Sequence, residues 1–318
     1  MKSSNIGGQA LIEGIMMRHM NEYSVAVRTP DNQIVVKKEP CRSITSSRIL
    51  KKIPVVRGVI SFIDSLVIGI RALFYSASFV EDDEEETAGK DREKEKESGI
   101  SEEKKKKKEE AEMTGVFLFS FAVAILLFVL LPYYISVLLG KIIPGRILIT
   151  LIEAVLRVAI FLGYLFWMTK MKDVNRTFMY HGAEHKCINC IEHGKPLTVE
   201  NVMQSSRFHK RCGTSFLVIV VILSAVLLMF VQTDSRVLRV VWRLLLIPVI
   251  AGISFELLQF TGRHEGKIVD LLSAPGLATQ RLTTSEPDES MAEVAIAAVE
   301  AVFDWRAYLK ENGGGNPA

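Results

Sequence analysis

At 318 residues the chain has room for one or two domains, and its net charge of +3 comes from opposing blocks of 39 basic and 36 acidic residues, which excludes the basic footprint of a nucleic-acid-binding protein. Hydrophobic residues make up 49% and mean hydropathy is +0.24, too apolar for an ordinary soluble enzyme, so the lipid bilayer is the first expected partner. The first ten residues lack the apolar core and cleavage pattern of a signal peptide, and insertion is expected to rely on internal helices.

Residues 1–54 read as a small β-containing segment. Tyr23 to Arg28 and Ile34 to Val36 flank a Pro30-Asp31-Asn32 break, the pattern of a hairpin. Upstream, Gly7 to Arg18 interleaves Gln9, Glu13 and Arg18 with apolar residues, which suits a structural β-element with a glycine-permitted turn; the same element could bring Glu13 to a metal. Residues 55–80 are apolar with Arg57, Asp64 and Arg71 at intervals of seven and Ser61 nearby, one stripe of a helix. That helix is expected to be amphipathic, lying on the membrane or packed against other helices, with a true span as the alternative. Residues 81–112 are almost wholly charged, end near five consecutive lysines, Lys104 to Lys108, and read as a disordered linker.

The segment 113–282 reads as a four-span membrane domain. Its apolar stretches run from about Val116 to Leu139, Ile147 to Trp167, Thr214 to Val231 and Val240 to Phe260, each long enough to cross a bilayer as a helix. Pro132 and Pro248 are candidate kinks, and Glu153 and Arg157 stand one helical turn apart, where they can neutralise each other inside the bundle. The lysine run and the basic residues of 170–213 place the linker, that loop and the C-terminus on the cytoplasmic side. Residues 283–318 supply Ser285, Pro287, Asp288 and Glu289 as a helix start, an alanine-rich helix, and a glycine-rich end that should fray.

The cytoplasmic loop carries the chemistry. His181-Gly182-Ala183-Glu184-His185 places two imidazoles one helical turn apart with a carboxylate beside them, the HxxEH pattern in which two histidines hold zinc and the glutamate acts as general base. Cys187, Cys190, His209 and Cys212 follow within the loop, and in a reducing cytosol thiols favour metal ligation over disulfides. Two arrangements are open. In a catalytic site His181 and His185 bind zinc, a third ligand comes from His209, Cys212, Glu256 or Glu265, a water fills the fourth position, and Glu184 is the base. In a structural site, His185, Cys190, His209 and Cys212 close four-ligand coordination, and the protein is a scaffold or assembly factor.

Four strings recur together: Gly7 to Arg18, Tyr180-His-Gly-Ala-Glu-His-Lys186, Arg207-Phe-His-Lys-Arg-Cys-Gly-Thr-Ser-Phe216, and Leu282-Thr-Thr-Ser-Glu-Pro-Asp288. In these strings and in their order the chain resembles the YqhQ-like family of bacterial membrane proteins, nearly end to end, apart from the charged linker and the last few residues. The resemblance implies a polytopic membrane protein described as a predicted metal-dependent enzyme. Cys187 and Ser285 depart from the family pattern, which weakens Cys187 as a ligand, while Cys190, His209 and Cys212 keep their candidacy. The expectation is therefore a mainly α, polytopic helical membrane protein with about four spans, a small β-containing N-terminus and a cytoplasmic loop holding a divalent metal, zinc by its donors. The activity that follows is hydrolysis of a peptide or lipid-linked substrate at the cytoplasmic membrane face.

Overall fold

A computed structural model describes residues 3–47, 49–87, 115–231, 233, 235–264 and 266–313. The remainder of the charged linker, Glu265 and the last five residues lie outside them. The chain divides into two units, one of residues 1–80, 164–224 and 245–318, the other of residues 81–163 and 225–244.

The first unit is built on an antiparallel meander, β1 (Gly7–Leu11), β2 (Gly14–His19), β3 (Glu22–Arg28) and β4 (Ile34–Pro40), paired in that order. The expected hairpin is β3 and β4. Two-residue links join β1 to β2 and β2 to β3, and each contains a residue in the left-handed region, Glu13 at φ 49° and Met20 at φ 51°. Alternation across the pleat sends Ile15, Met17 and Ala26 to one face and Met16, Val25 and Val27 to the other. Both faces are covered. The first packs against α4 (Lys172–Glu192) and α9 (Glu289–Val302), the second against α1 (Val56–Thr87) through Ile68 and Ala72. Being buried on both sides, β2 is continuously apolar, Gly14-Ile-Met-Met, and lacks the polar alternation by which a half-exposed strand is recognised.

Four helices are long and apolar enough to cross a membrane, and the set differs from that expected. Val56–Phe79 of α1 qualifies, together with α2 (Gly115–Leu139), Ile147–Met168 of α3 (Arg146–Met168) and Val237–Arg263 of α7 (Arg236–Arg263). The stretch from Thr214 becomes α6 (Gly213–Met229), whose 17 residues fall short of the usual span. Of the expectations for the Arg57/Asp64/Arg71 stripe, packing against the rest of the chain is met at two charges: the exposed Arg57 forks onto Glu256, and Asp64 accepts from Ser43 Oγ and the Ile44 amide. Large apolar side chains such as Phe119, Val155 and Leu245 are exposed on the spans, as a lipid-facing surface requires. Helix α1 also continues to Thr87, beyond the expected linker boundary at 81.

In the second unit, α2 contains a π-helical stretch, Leu126–Leu130, directly before Pro132. Proline has no amide hydrogen to donate one turn back, and the wider turn accommodates the lost bond. Glu153 and Arg157 are paired as expected, at 2.8 Å.

The C-terminal region forms two helices where one was expected. Asp288 caps α9 by accepting from the Met291 amide, and α10 (Trp305–Glu311) follows, with Trp305 and Leu309 in the core. Between α8 (Lys267–Thr283) and α9 the chain runs along α4, with the Ser285 amide donating to Phe178 O. Gly182 makes this close approach possible, because a Cβ there would collide with Ser285 O, a backbone atom that cannot swing aside. Gly182→Ala is expected to destabilise the protein by about 1–3 kcal/mol through overpacking, seen as a lower melting midpoint in detergent; an unchanged midpoint would contradict the contact.

Candidate metal centre

Helix α4 carries the HxxEH pattern, and His181 and His185 project from one face with ring centroids 4.4 Å apart. Each imidazole is anchored by its Nδ1. His181 Nδ1 lies 2.7 Å from Thr283 O at the end of α8, and His185 Nδ1 lies 2.6 Å from Arg207 O. A backbone carbonyl can only accept, so both Nδ1 atoms donate, and Nε2 is the nitrogen through which each ring, once neutral, can bind a cation.

Cys212 faces them. The loop that delivers it is pinned along α4: Lys186 Nζ donates to Met203 O and Ser205 O, and Asn189 Nδ2 to Ser206 O and Phe208 O. With the His185–Arg207 bond, consecutive loop carbonyls are thus held by one stripe of the helix, and the chain arrives at Cys212 immediately before α6. There Cys212 Sγ lies 3.1 Å from His181 Nε2 and accepts from the Thr214 amide at 3.4 Å, as a helix N-cap does. Although burial raises its pKa, the neighbouring His181 and His185 outweigh that and hold the Cys212 thiol well below its ordinary value. For His181, burial favours the neutral ring, but the Cys212 thiolate raises its pKa to about 9. The ion-free centre is therefore an imidazolium–thiolate pair.

One ligand atom from each of His181, His185 and Cys212 lies within 4.8 Å of the others. Two nitrogens and a thiolate suit zinc, whose ligand distances of roughly 2.0–2.3 Å place tetrahedral neighbours about 3.5 Å apart. Glu184 lies alongside, 5% exposed, with the Gly8 amide donating to its carboxylate. Burial pushes the Glu184 pKa up, more than the neighbouring histidines pull it down. Gly8 has no Cβ because the Glu184 carboxyl occupies that space, 2.8 Å from where one would sit.

The structure brings His181, His185 and Cys212 together and leaves the other candidates elsewhere. Cys190 lies in the hydrophobic core with its thiol toward Pro196 O at 3.4 Å, and burial pushes its pKa up to about 11. Cys187 is core as well, and all four cysteines are free thiols. His209 is near His185 but turns its Nε2 to Glu192, 3.3 Å away. Burial, its largest influence, lowers the His209 pKa, so the neutral ring donates to the carboxylate. His209 and Cys212 stand three residues apart in a loop, so their spacing does not direct them to one point. Glu256 is taken by Arg57, and Glu13 by Arg176 and by the Tyr180 hydroxyl at 3.2 Å. Glu265 is outside the described residues.

Sequence reasoning did not find the supporting carbonyls of Thr283 and Arg207 or the Gly8 amide. A backbone atom has no side-chain signature, although each belongs to a string shared with the family named above. Glu192, one of the acidic residues of the loop, has partners that its sequence position does not reveal: it accepts from the Ser4 amide at 2.8 Å and Ser4 Oγ at 2.7 Å, and pairs with Arg211 as well as His209. This one carboxylate ties the N-terminal segment to the loop that carries Cys212.

Fold and site together define a helical membrane protein with a small antiparallel sheet and a His/Cys cluster. A family model described as "Protein of unknown function (DUF1385)" matches residues 53–305, and the chain belongs to that family. It is 35% identical over 309 residues to the "Uncharacterized protein YqhQ" of Bacillus subtilis (strain 168), covering 96% of this chain and 94% of that protein. No solved structure matches.

Glu192 gives the region a titratable signature. Burial raises its pKa, but the His209 hydrogen bond and the Arg211 charge prevail and lower it to about 2. A depressed carboxylate stabilises the fold above its unfolded value and loses that contribution as pH falls through the folded one, here between roughly pH 5 and 2, on the order of 3 kcal/mol. Melting midpoints across that window should fall more steeply for the wild type than for Glu192→Gln; parallel curves would count against the network.

Proposed function

We propose that the protein is a metal-dependent hydrolase working at the cytoplasmic face of the membrane on a peptide or lipid-linked substrate. The observation that carries this reading is the three-ligand group of His181, His185 and Cys212 with Glu184 beside it. Three protein ligands leave the fourth tetrahedral position for water or substrate, whereas a structural site closes with four. Among the described residues no fourth histidine or cysteine joins the group, which favours catalysis over the scaffold reading.

A zinc ion in this group would acidify a bound water and polarise the carbonyl or phosphoryl oxygen of a substrate. The remaining work belongs to the chain. Glu184 takes the proton from the attacking water and returns it to the leaving group, acting as general base and then general acid. The Gly8 amide fixes the carboxylate's position, and the Thr283 and Arg207 carbonyls hold the two imidazoles in the tautomer that leaves Nε2 free. The cytoplasmic placement rests on the basic residues of 170–213.

Purified protein should contain about one equivalent of divalent metal per chain by elemental analysis, and the double substitution His181→Ala, His185→Ala should lose it. Glu184→Gln should retain metal and melting midpoint while cellular function falls by about 10²–10⁴-fold. Wild-type protein that binds no metal would overturn the reading; so would a Glu184→Gln variant of undiminished function.

A further inference from the structure

The helical segments of the second unit, apart from the charged linker, carry an excess of positive charge unrelated to the metal centre. From Gly115 to Gly163 and Ala225 to Leu244 the sequence has six bases and two acids, Glu153 and Asp234. Over these segments, which consist of apolar helices and the links between them, the sequence charge is therefore four positive. At its centre Glu153 serves two guanidiniums. Arg157 binds it at 2.8 Å, and Arg243 grips both of its oxygens, the Nη2 contact being 2.9 Å. These three side chains are 9% exposed or less, so one carboxylate answers two buried cations. Arg243 also lies 4.3 Å from the centre of the Tyr133 ring, and both Arg243 Nε and the Tyr133 hydroxyl are buried without a hydrogen-bond partner.

Beside this group lies a cavity of about 400 Å³. Its lining includes Lys141, Arg239 and Arg243 against the single acid Glu153, with Ser136 and Thr150 contributing hydroxyls. Cations at membrane depth are costly unless an anion or water-filled space meets them. The lining has the wrong sign for a cation, and guanidinium forks with an ammonium and hydroxyls are the donors that phosphate oxygens take. Lys141 and Arg239 also stand close to the helix ends, beside the segments linking α2 to α3 and α6 to α7, where long basic side chains reach headgroup level. We propose that this cavity is an anion site for a phosphate group, presented either on the headgroup of an anionic lipid or as a free phosphate.

The test uses full-length protein in neutral detergent, titrated with phosphatidylglycerol, with phosphatidylcholine as the zwitterionic control, and in parallel with inorganic phosphate. Native mass spectrometry reads bound lipid and thermal melting reads stabilisation. Phosphatidylglycerol should bind and raise the melting midpoint while phosphatidylcholine does not, and Lys141→Gln with Arg239→Gln should weaken binding at least tenfold. The variant's ligand-free melting midpoint and metal content should match the wild type; if the pair impairs folding, Lys141→Gln alone, an exposed side chain, carries the comparison. Binding of phosphatidylglycerol that excess inorganic phosphate does not displace assigns the site to lipid, and saturation by inorganic phosphate assigns it to a free phosphate. Equal binding of both lipids with no effect of phosphate, or anion binding unchanged in the variants, overturns the proposal.

Discussion

Four polar side chains of α4, Glu184, His185, Lys186 and Asn189, are buried, and each must find a partner because an unsatisfied polar group in a core costs about 1–3 kcal/mol. Their partners come from three separate stretches of chain: the Gly8 amide of β1, the carbonyls of the 203–208 loop, and the segment after α8. Satisfying one helix therefore fixes the N-terminal sheet, the loop and the approach to α9 at once. The geometry of the His/Cys cluster is a by-product of that satisfaction. His185 and Lys186 pin the loop, and the loop ends on Cys212 facing His181. Two glycines keep the arrangement tight, Gly8 under the Glu184 carboxyl and Gly182 under Ser285.

The same packing makes the centre self-consistent without an ion. A buried thiolate and a buried imidazolium neutralise each other, and the α6 N-terminus adds an amide donor to the sulfur. A divalent cation would replace the His181 proton, so metal uptake and proton release are linked. Cys187 and Cys190, only a few residues from the histidines, lack these neighbours and stay protonated core residues. Cysteine chemistry in this loop is decided by what each sulfur faces.

Much of the architecture was legible in the sequence because hydrophobic length is a strong signal. The helical membrane class follows from it, whereas the β-containing N-terminus was legible in its turn residues and the HxxEH helix in the spacing of its histidines. Where the reading fell short, what it lacked was a distant partner. The charged stripe of α1 left open what would meet it, and the partners are Glu256 and the segment at Ser43. Of the five candidate ligands, His181, His185 and Cys212 come together, while Cys190 and His209 face the core and Glu192. Spacing along a chain carries information only while the segment is regular, and between Ser206 and Cys212 it is a loop.

The central claim is that three side chains and one open position make up the centre. X-ray absorption spectroscopy at the metal edge of the purified protein tests it most directly. The account expects one sulfur near 2.3 Å and two imidazole nitrogens near 2.0–2.1 Å, with a fourth light-atom ligand that exchanges with added anions. Two sulfurs with two nitrogens and no exchangeable ligand would contradict it, since that shell describes a closed structural site drawing on Cys190 as well as Cys212.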